Sequence, residues 1–216
     1  MRANDLVRRH RDLWLALASA LTATGVAIVA LRAWRLDLHS PIVLEGDATQ
    51  VIGYVQNMIE TGSPSLSSRL GAPFGQQYQD FPLGTDNLNF GVMKLISLVT
   101  GDAVATVNVF YFLTFALVAV AAYWALRALG VGRPVCFVAA VVYALVPFHF
   151  MRGTGHLFLS AYFAVPLAAY ILVSAVSGKP LFGLGRSREG SSKFVRWRPS
   201  SRSSTLAKVA VRSSFR

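Results

Sequence analysis

Charge is what this sequence has least of. Asp, Glu, Lys and Arg make up 14% of its 216 residues, where soluble domains carry about 25%. Such a shortage argues against a soluble domain and for a chain that meets lipid. Cysteine is almost absent: Cys136 stands alone, which excludes an intrachain disulfide framework, and its apolar neighbours make it a small hydrophobe within a helix. No H-E-x-x-H pattern accompanies the histidines, so a tight metal site built on them is not expected. Acidic residues number ten against 21 basic ones, a net charge of +11. An excess of that size would suit nucleic acid if it lined one aromatic-bearing surface. Here ten basic residues follow Gly178 and four precede Asp12. They flank apolar runs, which is the pattern of membrane topology, and nucleic acid is not an expected partner.

Long uncharged runs are what is present. A helix rising 1.5 Å per residue needs roughly 20 apolar residues to cross a ~30 Å hydrocarbon core. Four stretches reach that scale: 13–31, 103–126, 134–151 and 157–177. Within lipid a chain must satisfy its own backbone, so these are expected to be helices. Span one is too long for the apolar region of a signal peptide and is followed by Arg32, Trp34 and Arg35, so it reads as an uncleaved anchor. Pro166 falls inside the fourth run, where a kink is expected. The fold class is thus an all-α integral membrane protein of about four transmembrane helices.

The connections give an orientation. Arg2, Arg8, Arg9 and Arg11 precede span one, Arg127 and Arg133 lie between spans two and three, and Lys179 follows span four. Positive-inside bias puts these regions, and both termini, in the cytoplasm of a multi-pass protein of the inner membrane. The expected organisation is a basic N-terminus (1–12), a first span (13–33), an extracytoplasmic loop (34–102), three further spans (103–177) and a basic tail (178–216). The long loop holds seven of the ten acidic residues.

That loop is too long for a passive connection. Asp47 followed by Gln50 resembles a capping box, and Val51, Ile52, Val55, Met58 and Ile59 fall on one helical face. Asn57 is expected on the opposite, tolerant face. Gly62, Ser63 and Pro64 would end this helix, which is expected to lie along the membrane surface with its apolar face against lipid or the neighbouring spans. Residues 63–88, rich in Gly, Pro, Ser, Gln and Asp, read as a structured loop. A second short helix is expected over 89–100, stopped by Gly101.

Several segments carry a resemblance. They are Glu45-Gly-Asp47 at the start of the surface helix, Leu70-Gly-Ala-Pro-Phe-Gly75, Asp80-Phe-Pro-Leu-Gly84, and the run Pro147-Phe-His-Phe-Met-Arg-Gly-Thr-Gly-His156. With the span pattern of residues 10–177, the chain resembles the N-terminal part of bacterial multi-span glycosyltransferases of the C-type fold (GT-C), and also the related large membrane proteins of the YfhO type. The resemblance implies transfer of a sugar from a polyprenyl-phosphate donor to an acceptor at the extracytoplasmic face. It implies that an acidic residue early in the first outer loop supports catalysis, and the matching position is Asp47.

Chemistry agrees with that placement. Attack of an acceptor hydroxyl on an anomeric carbon needs a base, or a metal held by carboxylates, and a cation to steady the departing phosphate. Asp47 would be the base or the ligand of a divalent cation, Mg or Mn. Glu45, Asp80, Asp86, Arg152 and His156 would contact substrate, with His149 a further candidate, and Arg152 suits phosphate because guanidinium offers a fork of donors. Plainer roles stand beside these: Asp47 as a helix cap, Glu45 as a solvated acid, Asp80 and Asp86 as turn formers, and Arg152 as an interfacial anchor.

Residues 181–216 break the pattern, with nine serines, nine basic residues and one acid. No apolar periodicity is present, so disorder is expected. A polybasic segment beside a span could bind anionic lipids. A frame lost near Gly178 would give the same composition, and the chain would then be a truncated enzyme. The competing reading of the whole is a non-catalytic multi-span protein, a lipid or glycan transport subunit or a scaffold.

Overall fold

In the computed structural model, residues 3–69, 71–77 and 86–178 are described. The chain opens with α1 (Ala3–Ala30), and a short 3-10 turn follows at Ala33–Arg35. In the first connection lie α2 (Ala48–Thr61), a two-residue hairpin pair of β1 (Leu66–Ser67) and β2 (Gln76–Gln77), and α3 (Asn87–Thr100). Then come α4 (Ala103–Ala128), α5 (Arg133–Ala144), α6 (Pro147–Arg152), α7 (Leu157–Ser160) and α8 (Ala164–Val176). The basic tail, Leu70 and the segment 78–85 with Asp80 lie outside the described residues.

The described residues are all-α apart from the hairpin. Among them three helices are long and apolar enough to cross a membrane: His10–Ala30, Ala103–Ala128 and Arg133–Arg152. The expected fourth span is instead divided. Residues 157–160 form α7, the chain leaves the helix at Ala161–Phe163, and α8 follows with 13 residues, roughly 20 Å of rise. Pro166 explains part of this. It occupies the third position of α8, where a helix has no internal partner for its N–H groups anyway. Proline therefore sits in the first turn rather than kinking a continuous span.

Helix α4 is the centre of the bundle. Against it α1 turns Ala16, Ala20, Ala23 and Ala27, all buried. Small residues at this spacing let two backbones approach closely, the usual basis of helix packing in lipid. On the opposite side of α1, Trp14, Leu21 and Val29 are exposed, as are Val135, Val138 and Val142 of α5. In water such outer faces would be a liability; in hydrocarbon they cost nothing.

The third span is interrupted but not unsatisfied. Val146 is extended at φ −60°, ψ 146° and Pro147 starts α6, as the restriction on a residue before proline requires. The break frees the Ala144 carbonyl, and His149 Nδ1 lies 2.9 Å from it. The same ring puts Nε2 at 2.8 Å from Thr114 Oγ1 of α4 and stacks on Phe115, centroids 3.7 Å apart. A carbonyl only accepts, so Nδ1 carries the proton; Thr114 Oγ1, which also donates to the Tyr111 carbonyl at 2.5 Å, shares its single proton between that carbonyl and Nε2. His149 is fully buried, a plug in the helix break rather than a group at the bundle end.

In the first connection, α2 begins after Asp47 and ends at Gly62, whose φ of 86° is left-handed. Val51, Tyr54, Val55 and Met58 are buried in one cluster with Phe90 and Met93 of α3 and Val107, Phe110 and Tyr111 of α4. Of the two expected partners of this apolar face, lipid or the neighbouring spans, it meets the second, because α3 and the start of α4 fold over it. Asn57 corrects an expectation. It is buried, and its Nδ2 donates to the carbonyls of Ser63 and Leu66, so it ties the loop to the helix rather than facing solvent. Lys94 Nζ of α3 donates to the Met58 carbonyl at 3.0 Å, satisfying the C-terminal end of α2. The chain between α1 and α2 is fixed to α4 by Asn108, whose Nδ2 donates to the carbonyls of Leu38 and Ser40, each at 2.9 Å.

Candidate functional site

The capping box at Asp47 and Gln50 does not form. Asp47 stands at the N-cap position of α2, but its side chain makes no capping hydrogen bond, and Gln50 Nε2 donates instead to Tyr54 Oη at 3.0 Å. The Asp47 carboxylate turns away from its own helix. Its Oδ2 lies 3.2 Å from His156 Nδ1, a residue 109 positions along the chain. Both side chains remain partly open to solvent, 42% for Asp47 and 38% for His156.

Two glycines make that approach possible. The Asp47 backbone N–H donates to the Gly155 carbonyl at 2.7 Å. Gly46 has φ +59°, and a Cβ there would fall 2.6 Å from the same Gly155 oxygen. Any side chain at position 46 would both strain the backbone and push the two segments apart. From the other side, a Cβ on Gly155 would come within 3.2 Å of the Glu45 carbonyl. The two glycines thus lie backbone to backbone, and the residue after each one, Asp47 and His156, projects into the same space.

The His156 turn is itself anchored. Its N–H donates to the Arg152 carbonyl at 3.0 Å, and Ser160 Oγ donates back to the Gly153 carbonyl at 2.9 Å. Phe158 packs edge-to-face on Phe90, centroids 5.4 Å apart, and Phe90 does the same with Tyr54 at 5.9 Å. Edge-to-face aromatic contacts of this kind favour defined geometry, and this chain of rings locks α7, α3 and α2 together beneath the Asp47–His156 pair.

The other expected site residues divide. Glu45 is exposed, and its backbone rather than its carboxylate builds the site. Arg152 is exposed, with its guanidinium 5.3 Å from the Phe148 ring centroid, a cation–π contact that leaves its N–H groups free of any ion pair to a described carboxylate. Asp86 caps nothing; its Oδ2 accepts from Asn89 Nδ2 at 2.8 Å. Asp80 lies outside the described residues. His149 is removed from the site by its burial in the helix break.

No group of three or more His, Cys, Asp or Glu side chains that could hold a metal ion occurs among the described residues. Asp47 and His156 would supply two donors at most. Mg²⁺ takes oxygen ligands, so Asp47 alone of the two could serve it through its carboxylate, and the pair does not build a closed structural site.

At the opposite end of the bundle lies a second charged cluster that sequence reasoning missed. Asp12 of α1 accepts from Arg133 Nε at 2.8 Å and Nη2 at 3.1 Å, from Arg127 Nε at 3.1 Å and from Tyr123 Oη at 3.1 Å. Read along the chain, Arg127 and Arg133 look like free topology signals and Asp12 like an isolated acid. The local clue was an acid beside an apolar run, which usually has a partner.

No family model matches this chain, and neither a curated protein nor a solved structure was found to be similar to it.

Proposed function

We propose that this chain carries the N-terminal part of a membrane glycosyltransferase of GT-C-like architecture. It transfers a sugar from a polyprenyl-phosphate donor to an acceptor hydroxyl at the extracytoplasmic face. The observation that supports this reading best is the carboxylate–imidazole pair. Asp47 gives up its capping role and faces His156 at 3.2 Å, at the bundle end that carries the long acidic connection. A lipid-linked donor is held in the membrane and presents its head group at such an end. The pair supplies the base for the acceptor hydroxyl, and the exposed Arg152 supplies donors for the departing phosphate. A divalent cation, if used, would take a carboxylate oxygen of Asp47. In this proposal the orientation is the one that positive-inside bias gives, with both termini cytoplasmic, and the multi-pass chain belongs to the inner membrane.

The test is sugar transfer by membranes containing the protein, supplied with polyprenyl-phosphate sugars and radiolabelled at the sugar. Asp47→Asn should reduce transfer by about 10²–10⁴-fold while expression is unchanged. Near-normal transfer by that variant would move the acid to Glu45, Asp80 or Asp86. Absence of transfer from every such donor would remove the enzyme reading.

The second reading is a non-catalytic multi-span protein, a lipid or glycan transport subunit or a scaffold. It is supported by the small number of membrane-length helices among the described residues, three.

A further inference from the structure

We infer that the proton of the acceptor hydroxyl is taken by Nε2 of His156, and that Asp47 is the positioning residue that prepares this atom. The inference rests on the transferase reading above and names the reacting atom within it. A carboxylate at neutral pH has acceptors only. For Asp47 Oδ2 to be hydrogen-bonded to His156 Nδ1 at 3.2 Å, the ring proton must sit on Nδ1. The neutral imidazole then carries its lone pair on Nε2, and no hydrogen bond to a described residue occupies that nitrogen. His149 has the same tautomer for the opposite purpose: its Nε2 is closed off by Thr114 in the core. Of these two histidines, His156 alone combines an orienting carboxylate with solvent access.

The backbone fixes the pair independently of the side chains. The Asp47 N–H to Gly155 carbonyl bond and the Gly46–Gly155 contact set both Cα positions, so the imidazole is oriented before substrate arrives. Preorganisation of this kind is what allows a base to act without rearrangement. An Asp47 carboxylate committed to Nδ1 is the weaker candidate for direct proton transfer, since leaving the ring would abandon a charge-assisted bond.

The reaction balances as follows. The acceptor O–H bond breaks and its proton passes to Nε2. The acceptor oxygen forms a bond to the anomeric carbon as the bond from that carbon to the donor phosphate oxygen breaks, its electron pair leaving on the polyprenyl phosphate. The imidazolium, neutralised by Asp47, then returns the proton to the phosphate monoester or to water. No oxidant, reductant or further co-reactant is needed.

Two measurements test this on the full chain in lipid nanodiscs. The first needs no substrate: two-bond ¹⁵N–¹H correlation spectra of imidazole-labelled protein report which ring nitrogen is protonated. His156, assigned by its loss in His156→Gln, should be the Nδ1–H tautomer, and Asp47→Asn should abolish that preference. An Nε2–H tautomer in the unaltered protein would overturn the inference whatever the activity. The second measurement is transfer from polyprenyl-phosphate sugars. His156→Ala should lose about 10²–10⁴-fold, the Asp47→Asn/His156→Ala double variant should lose no more than the worse single variant, and free imidazole should restore part of the His156→Ala activity. Normal transfer by His156→Ala alongside an inactive Asp47→Asn would make Asp47 itself the base and refute the assignment. If the unaltered protein transfers no sugar, the transferase reading falls and this assignment falls with it; an Nδ1–H spectrum would then separate that failure from a misplaced dyad.

Discussion

The Asp12 carboxylate of α1 accepts two hydrogen bonds from the Arg133 guanidinium at the start of α5, Nε at 2.8 Å and Nη2 at 3.1 Å, across 121 residues of chain. With Arg127 and Tyr123 of α4 on the same acid, this one side chain joins all three long helices. Asp12 is 14% exposed and the arginines 23% and 27%, so solvent screens the cluster only in part.

Asp12→Asn should therefore destabilise the bundle by about 1–3 kcal/mol, because it leaves two arginines facing each other. Arg133→Lys should recover little of an Arg133→Ala loss, since an ammonium cannot reproduce the two-point contact. Thermal unfolding in detergent checks both. Equal melting temperatures for Asp12→Asn and the unaltered protein would show that the cluster is a surface ornament.

At the other end, Gly46→Ala should separate Asp47 from His156. The strained φ alone costs about 1–2 kcal/mol, and the Cβ would have to displace the Gly155 oxygen from 2.6 Å. Transfer activity and the His156 tautomer should both be lost. Gly53→Ala is the control: nothing lies within 4 Å of its Cβ site, and mid-helix alanine should be neutral or stabilising by roughly 0.5–1 kcal/mol. Matching effects of the two changes would contradict the backbone contact described.

The helix-break plug makes a separate prediction. Thr114→Val removes the hydroxyl shared by the Tyr111 carbonyl and His149 Nε2 and should cost about 1–2 kcal/mol, while Thr114→Ser keeps the hydroxyl and should melt close to the unaltered protein. A common melting temperature for the two variants would show that the 2.8 Å contact is not a working hydrogen bond.

Orientation is open to direct labelling. In a Cys136→Ala background, Ser68→Cys lies on an exposed stretch of the first connection and should react with an impermeant maleimide on intact cells. Ser203→Cys should react only after permeabilisation. The reverse pattern would invert the topology. The Asp12 cluster bears on this, because it offsets one of the positive charges contributed by Arg127 and Arg133 and leaves more of the bias to Arg2, Arg8, Arg9 and Arg11.

Much of the architecture is local and was therefore legible in the sequence. Apolar runs mark α1, α4 and the α5–α6 pair, because length and lack of charge are read residue by residue. Gly62 and Gly101 end α2 and α3 in left-handed conformations because glycine is the residue that adopts them without strain. Asp47 is a site candidate through the resemblance, and His156 through its place at the same expected outer face. What remained hidden was everything that depends on a partner far along the chain. Whether Asp47 caps α2 or faces an imidazole is decided by Gly155, 109 residues after Gly46, coming close enough to accept the Asp47 N–H. Whether His149 serves a site or a helix break is decided by Thr114 on another helix. Asn57 reads as a surface amide until the loop it holds folds over it, and Arg127 and Arg133 read as free charges until α1 delivers Asp12. Hydrophobic periodicity sets which face of a helix is buried, but hydrogen bonds between segments obey distance in space, and only tertiary packing brings those atoms within 3.2 Å.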